Sequence, residues 1–245
     1  EEASALVRRF KGAYSGEHGD GLCRGEWVAW QFGPALNDAF RAIKYAPFPV
    51  VGAPSGLALG GGCEVLLHCD AIQAHAETYM GLVEVGAGIV PGWGGCKELL
   101  ARWFARKDRP QGPMPPIAQT FETIALAKVS TSAAEARELL YIGPNDAITM
   151  NRDRVLADAK SKAIALAANY RPPTPPTFVL PGPTAATALA LAVDDLVKSG
   201  KATAYDRVVA LALAEVLSGG DTDITETVTE ETLLTLERRA ALSLI

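Results

Sequence analysis

Three features of this sequence predict an α/β fold. Val50–Ala53 is a short apolar run that reads as a strand. Gly61–Cys69, opening on a glycine triplet, reads as a helix. Ala71–Ala76 alternates weakly and reads as a second strand. Strand, helix and strand at this spacing make a β-α-β unit, and such units build α/β folds.

The other elements follow in order. Ala3–Phe10 reads as a short helix, and Tyr14–Gly21 as a loop dense in glycine and polar groups. Trp27–Tyr45 carries apolar residues at helical spacing, with Pro34 near a helix start. Thr78–Cys96 is almost wholly apolar and glycine-rich. From Lys97 onward the chain reads as mainly helical: Cys96–Ala105, Ile117–Lys128 after a loop at Pro110–Pro116, and Ala133–Tyr141. Ser132 and Glu135 form a capping-box pattern ahead of that last segment. Asn151–Tyr170 reads as a long helix. Arg171–Pro183 is rich in proline and reads as an extended connector and a sub-domain boundary. Three helices are then expected, at Thr184–Ser199, Ala204–Ser218 and Glu230–Leu244, the last with Thr229 as N-cap.

Composition narrows the function. The chain has 245 residues, 49% apolar and 21% charged, with a net charge of −5. That balance is ordinary for a globular protein and gives no basic surface for nucleic acid or an anionic membrane. No stretch approaches the roughly 18 apolar residues of a membrane span. Cys23, Cys63, Cys69 and Cys96 show no CxxC pairing, so reduced thiols and a cytoplasmic location are expected. The chain starts at Glu1 and stops at Ile245 inside an amphipathic pattern, which reads as a piece of something longer.

The chemistry concentrates between Gly60 and Gly95. Three glycines at a helix start let backbone N–H groups approach a ligand, and the helix end favours an anion. Glu64 follows in the first turn, where the ionised form is favoured. Glu84 is the one charged side chain between Thr78 and Cys96, and desolvation there raises a carboxyl pKa. Two carboxyls pulled apart in this way make an acid and a base. The plainer alternative stays open: Glu64 as a helix cap, and Glu84 as a buried acid satisfied by backbone groups. His68 and His75 read as structural histidines. Arg102, Arg106, Lys107 and Arg109 read as a solvated helix end or as an attractor for phosphates.

Residues from about Lys44 to Lys97 resemble the crotonase (enoyl-CoA hydratase/isomerase) superfamily. The resemblance rests on Pro49–Ala53, Ala58–Glu64, Cys69-Asp70, Met80-Gly81, Glu84 and Gly88–Gly95. The helical remainder resembles the hydratase-like part of long 3-hydroxyacyl-CoA dehydrogenases of fatty-acid β-oxidation. The resemblance implies a partial crotonase-like β-β-α spiral core with a mainly helical C-terminal region. It implies Glu64 and Glu84 as catalytic residues, Gly61 N–H as an oxyanion-hole donor, and Pro91 and Trp93 as walls of an acyl pocket. The implied substrate is an acyl-CoA thioester that carries its own coenzyme A, with no metal or redox cofactor and with homo-oligomers as the assembly.

Residues 1–44 differ from the family's longer N-terminal half, which supplies the second oxyanion N–H. Ser15–Gly21, Arg24, Glu26-Trp27 and Phe32–Pro34 resemble instead the C-terminal region of FAD-linked oxidases of the glycolate oxidase/D-lactate dehydrogenase type. The expected organisation is therefore 1–44 as a foreign segment, 45–170 as the crotonase-like core and 171–245 as a helical region. The expected function is hydration of an enoyl-CoA by a chain of impaired activity. The alternatives are a non-catalytic helical oligomerisation module and a remnant of a flavin-dependent 2-hydroxy-acid oxidase.

Overall fold

A computed structural model describes residues 34–245, with side chains from residue 37 onward. The predicted helix at Ala3–Phe10, the predicted loop at Tyr14–Gly21 and Cys23 lie outside the described residues.

The chain steps between two parallel sheets. Helix α1 (Pro34–Lys44) leads to strand β1 (Val51–Gly52), strand β2 (Gly56–Leu59) and helix α2 (Gly61–Leu67). Strands β3 (Ala71–His75) and β4 (Thr78–Gly81), a one-turn 3-10 helix (Glu84–Ala87) and helix α3 (Gly95–Ala105) repeat the pattern. β1 pairs with β3, Val51 opposite Ala71. β2 pairs with β4, Gly56 opposite Thr78. Each β-β-α turn therefore stacks on the one before, which is the spiral expected. A third strand, β5 (Ala147–Thr149), extends the first sheet by pairing with β3.

Helices α4 (Met114–Ala125), α5 (Ala133–Glu138) and α6 (Val155–Ala167) follow, with β5 between the last two. α4 starts inside the predicted Pro110–Pro116 loop, because Pro115 and Pro116 occupy its first turn, where a missing N–H costs no bond. Only half of the expected capping box forms at α5. Ser132 accepts from the Glu135 N–H, whereas the Glu135 carboxylate accepts from the Thr131 N–H and hydroxyl. α6 is shorter than expected, and its exposed side carries Leu156 and Ile164.

The proline-rich connector is pinned. Tyr170 donates to Asp70, and strand β6 (Thr177–Phe178) pairs antiparallel with β7 (Val228–Thr229). Helices α7 (Pro183–Lys198), α8 (Ala204–Ser218) and α9 (Glu230–Ser243) close the fold. α8 opens on a full capping box between Thr203 and Asp206. Leu213, Val216 and Leu217 of α8 share one apolar core with Leu66, Ile72, Leu82 and Leu99 of the spiral. α8 packs on α7, α9 and α4, and α9 packs on α3. The C-terminal helices thus bury the back of the segment that carries the site.

Candidate active site

Gly60 sets the entrance to α2. Its φ of +55° is a conformation open to glycine, and its N–H donates to the Gly81 carbonyl at 2.8 Å, tying α2 to the end of β4. The N–H groups of Cys63 and Glu64 return to the Gly60 carbonyl at 2.8 and 3.0 Å. The N–H groups of Gly61 and Gly62 stand at the open end of the helix, where no intrahelical acceptor exists.

Two carboxyls converge there. Glu64 lies one turn inside α2 and is fully buried. Its Oε1 accepts from the Trp93 N–H at 3.0 Å and the Gly95 N–H at 2.9 Å. Glu84 opens the 3-10 turn, half-buried, with Oε2 enclosed and without a hydrogen-bond partner. Its Oε1 lies against Gly60, only 3.3 Å from where a Cβ on that glycine would stand.

Burial pushes the Glu84 carboxyl up to about 7, against the N–H groups of Val83 and Glu84, which favour the ion. Burial also raises Glu64 well above its ordinary value, helped by the charges of Glu84 and then Glu237, against the Gly95 and Trp93 N–H groups. Burial thus runs against the expectation that the helix end favours the ionised form of Glu64. Loss of water around a fully buried carboxyl outweighs the partial charge of a seven-residue helix. Two carboxyls that each hold a proton more firmly than usual also disfavour each other's ionisation.

Trp93 lies directly on Gly61. A Cβ at Gly61 would stand 2.3 Å from Cζ3 of the indole, so glycine is what allows the ring to cover the helix opening. Phe40 of α1 packs edge-on against that ring, centroids 5.7 Å apart, and also against His68 at 5.3 Å. Pro91 is buried beneath the turn. A separate apolar cavity of about 530 Å³ starts at Val85 and Gly86, directly after Glu84, and runs between α4, α7 and α8 past Phe121, Leu189 and Val193. The sequence did not single these residues out, because they look like ordinary helix-packing positions.

The other candidates have local roles. His68 is buried, its Nδ1 2.8 Å from the Glu64 carbonyl, and burial lowers its pKa to about 4 against the Glu98 charge. His75 ends β3. Arg102 spends its guanidinium on the carbonyls of Leu67, Leu140 and Tyr141, Arg106 pairs with Asp108, and Arg109 caps the carbonyls of Phe104, Pro110 and Gly112. An ionic cluster that sequence reasoning missed closes α1 and α9 onto α3. Glu98 takes Lys44 at 2.5 Å and also Lys97, which reaches Glu230 at 2.6 Å.

Residues 19–107 match the family model for enoyl-CoA hydratase/isomerase. An enoyl-CoA hydratase from Bacillus anthracis superposes with a TM-score of 0.50 at 21% identity, over 94% of this chain and 66% of that one. The fold is that of the enoyl-CoA hydratases. The family match supports the crotonase superfamily, and it begins inside residues 1–44, the stretch expected to be foreign to that family. A probable 3-hydroxyacyl-CoA dehydrogenase of Bacillus subtilis is 40% identical over 97% of this chain and 32% of its own length. A short-chain-enoyl-CoA hydratase of Clostridium acetobutylicum is 44% identical over 28% of this chain and 26% of its own length. The chain thus spans about a third, or less, of these curated relatives.

Proposed function

We propose that this chain adds water across the double bond of a 2-enoyl-CoA thioester, as a hydratase of fatty-acid β-oxidation. The observation that carries this reading is the convergence of Glu64 and Glu84 on the open end of α2. The thioester carbonyl accepts from the Gly61 N–H. A water sits between the two carboxyls. The ionised carboxylate takes a proton from that water as its oxygen bonds to C3, electrons move onto the thioester oxygen, and the protonated carboxyl gives its proton to C2. The N–H donor holds the enolate-like oxygen in a site that excludes bulk water. The relatives named as hydratases and as a 3-hydroxyacyl-CoA dehydrogenase support the same chemistry. Trp93 forms the lid over the reacting carbons, and the cavity beyond Val85 receives the acyl chain.

The test is loss of the conjugated enoyl-thioester absorbance on mixing a short enoyl-CoA with the protein. The expected result is loss with the wild type and none with the Glu64→Gln, Glu84→Gln double variant. Equal loss in both would overturn the residue assignment.

Leu156 and Ile164, 75% and 65% exposed on α6, favour self-association as a companion property. Light scattering after gel filtration checks it: a defined oligomer is expected, and a monomer contradicts it.

A further inference from the structure

The turn at Trp93–Lys97 carries four backbone N–H groups that end on two buried carboxyls from distant parts of the chain. Trp93 and Gly95 donate to Glu64 Oε1. Gly94 donates to Glu237 Oε2 at 2.8 Å, and Lys97 donates to Glu237 Oε1 at 2.6 Å. The turn is thus clamped from both sides, by α2 on one and by α9 on the other. Gly94, at a φ of +99°, makes the reversal that points neighbouring N–H groups in opposite directions.

Glu237 is fully buried on a helix whose neighbours Arg238 and Arg239 are charged. A lone carboxyl in a core is costly unless it is bonded. Both of its oxygens are bonded here, at the start of the eleven-residue helix α3, where the helix end favours an acceptor.

We propose that Glu237 is a positioning residue for Glu64: it holds the outer side of the Trp93–Lys97 turn so that the inner side presents the Trp93 and Gly95 N–H groups to the Glu64 carboxyl in one orientation. The inference rests on the hydratase reading for its kinetic consequence, though not for its structural one. Several titratable and charged groups surround Glu237. Lys97 and Glu98 face it from α3, and Glu98 is in turn paired with Lys44 of α1 and lies 3.6 Å from His68, which follows α2. Cys96 lies among Glu237, Glu64 and Glu84, and Glu230 of α9 holds Lys97. Burial pushes Glu237 up to about 8, while the Lys97 and Gly94 N–H groups and the Lys97 charge pull it down. Its negative charge raises the proton affinity of Glu64.

The experiment compares the wild-type chain with Glu237→Gln, whose amide oxygen keeps one of the two bonds while its NH₂ cannot accept the other. The amide resonances of Trp93 and Gly95 are followed against pH, since both N–H groups end on Glu64 and report its ionisation. The expected result is a titration midpoint at higher pH in Glu237→Gln, because N–H groups turned away from Glu64 no longer favour its ion. In hydration assays kcat is expected to fall, by up to about 100-fold, with KM nearly unchanged. In a Glu64→Gln background the same substitution is expected to change kcat no further. An unmoved or lowered midpoint, or an equal loss of kcat in the Glu64→Gln background, would overturn the proposal. A raised midpoint in a protein that hydrates nothing would support the positioning role and contradict the hydratase reading. Glu237→Ala, which loses both bonds, extends the series where it folds, and Glu237→Gln suffices where it does not.

Discussion

Glu64 and Glu84 meet at one helix opening, but their surroundings are built differently. Glu64 is enclosed, and two N–H groups of a turn 29 and 31 residues downstream fix its Oε1. Glu84 is half-buried on a single 3-10 turn, with one oxygen against Gly60 and the other without a partner. The first carboxyl is part of the architecture, and its loss would disturb the turn that carries Trp93. The second is held by its place in the chain, and its enclosed oxygen has no hydrogen-bond partner. The two carboxyls are thus one fixed and one adaptable member.

The most severe way to break the comparison is to remove either acid function. Glu64→Gln and Glu84→Gln are each expected to lower kcat for enoyl-CoA hydration by about 10²–10⁴-fold, measured as initial rates. Alanine then separates the two. Glu64→Ala strands the Trp93 and Gly95 N–H groups in the core and is expected to cost about 2–5 kcal/mol in denaturant unfolding. Glu84→Ala releases only the Val83 and Glu84 N–H groups of its own half-buried turn and is expected to stay within about 1 kcal/mol of wild type.

Glycine substitutions sharpen the contrast. A Cβ at Gly95 would stand 2.8 Å from Glu64 Oε1 and 2.9 Å from Leu82, so Gly95→Ala is expected to cost about 1–3 kcal/mol in thermal unfolding. A Cβ at Gly86, two residues after Glu84, would meet nothing within 4 Å. Gly86→Ala is expected to be neutral or to stabilise by up to about 1 kcal/mol.

The pH dependence of stability is the smallest and most distributed effect. Glu84 and Glu237 have folded pKa values near 7 and 8, above an ordinary 4.5. Their contribution is fully present below 4.5 and is lost as pH rises through 7 and 8. Glu98 runs the other way. Burial opposes its ionisation, but the charges of Lys97, Lys44 and His68 together hold it near 2, so its contribution is present above 4.5 and lost as pH falls towards 2. Unfolding free energy measured against pH is expected to decline from mildly acidic to mildly alkaline conditions, and more shallowly in Glu237→Gln.

Much of the fold is written locally, and the parts that are not have a physical reason. The β1–α2–β3 unit, the Ser132 cap, the Thr229 cap and the last three helices rest on nearest-neighbour patterns, and they appear near their expected limits. Strands β2 and β4 were missed because Gly56–Leu59 is four residues long and Thr78–Gly81 sits in a run apolar on both faces. β5, three residues long, exists only through its pairing with β3. At the site, Gly61, Glu64, Glu84 and Trp93 were legible because they cluster in a short stretch. Glu237 was not, because it bonds residues 140 and 143 positions away and sits among charges that look like a solvated helix face. The rise in the Glu64 pKa was not legible for the same reason: its burial comes from elements remote in sequence.

The central claim is that Glu64 and Glu84 work as one unit on an enoyl thioester. Initial rates of enoyl-CoA hydration for wild type, Glu64→Gln, Glu84→Gln and the double variant test it most directly. The account predicts that each single substitution costs nearly as much as both together, as for groups that share one step. A double variant whose loss is the product of two independent losses, or a single variant that retains wild-type rate, would contradict it.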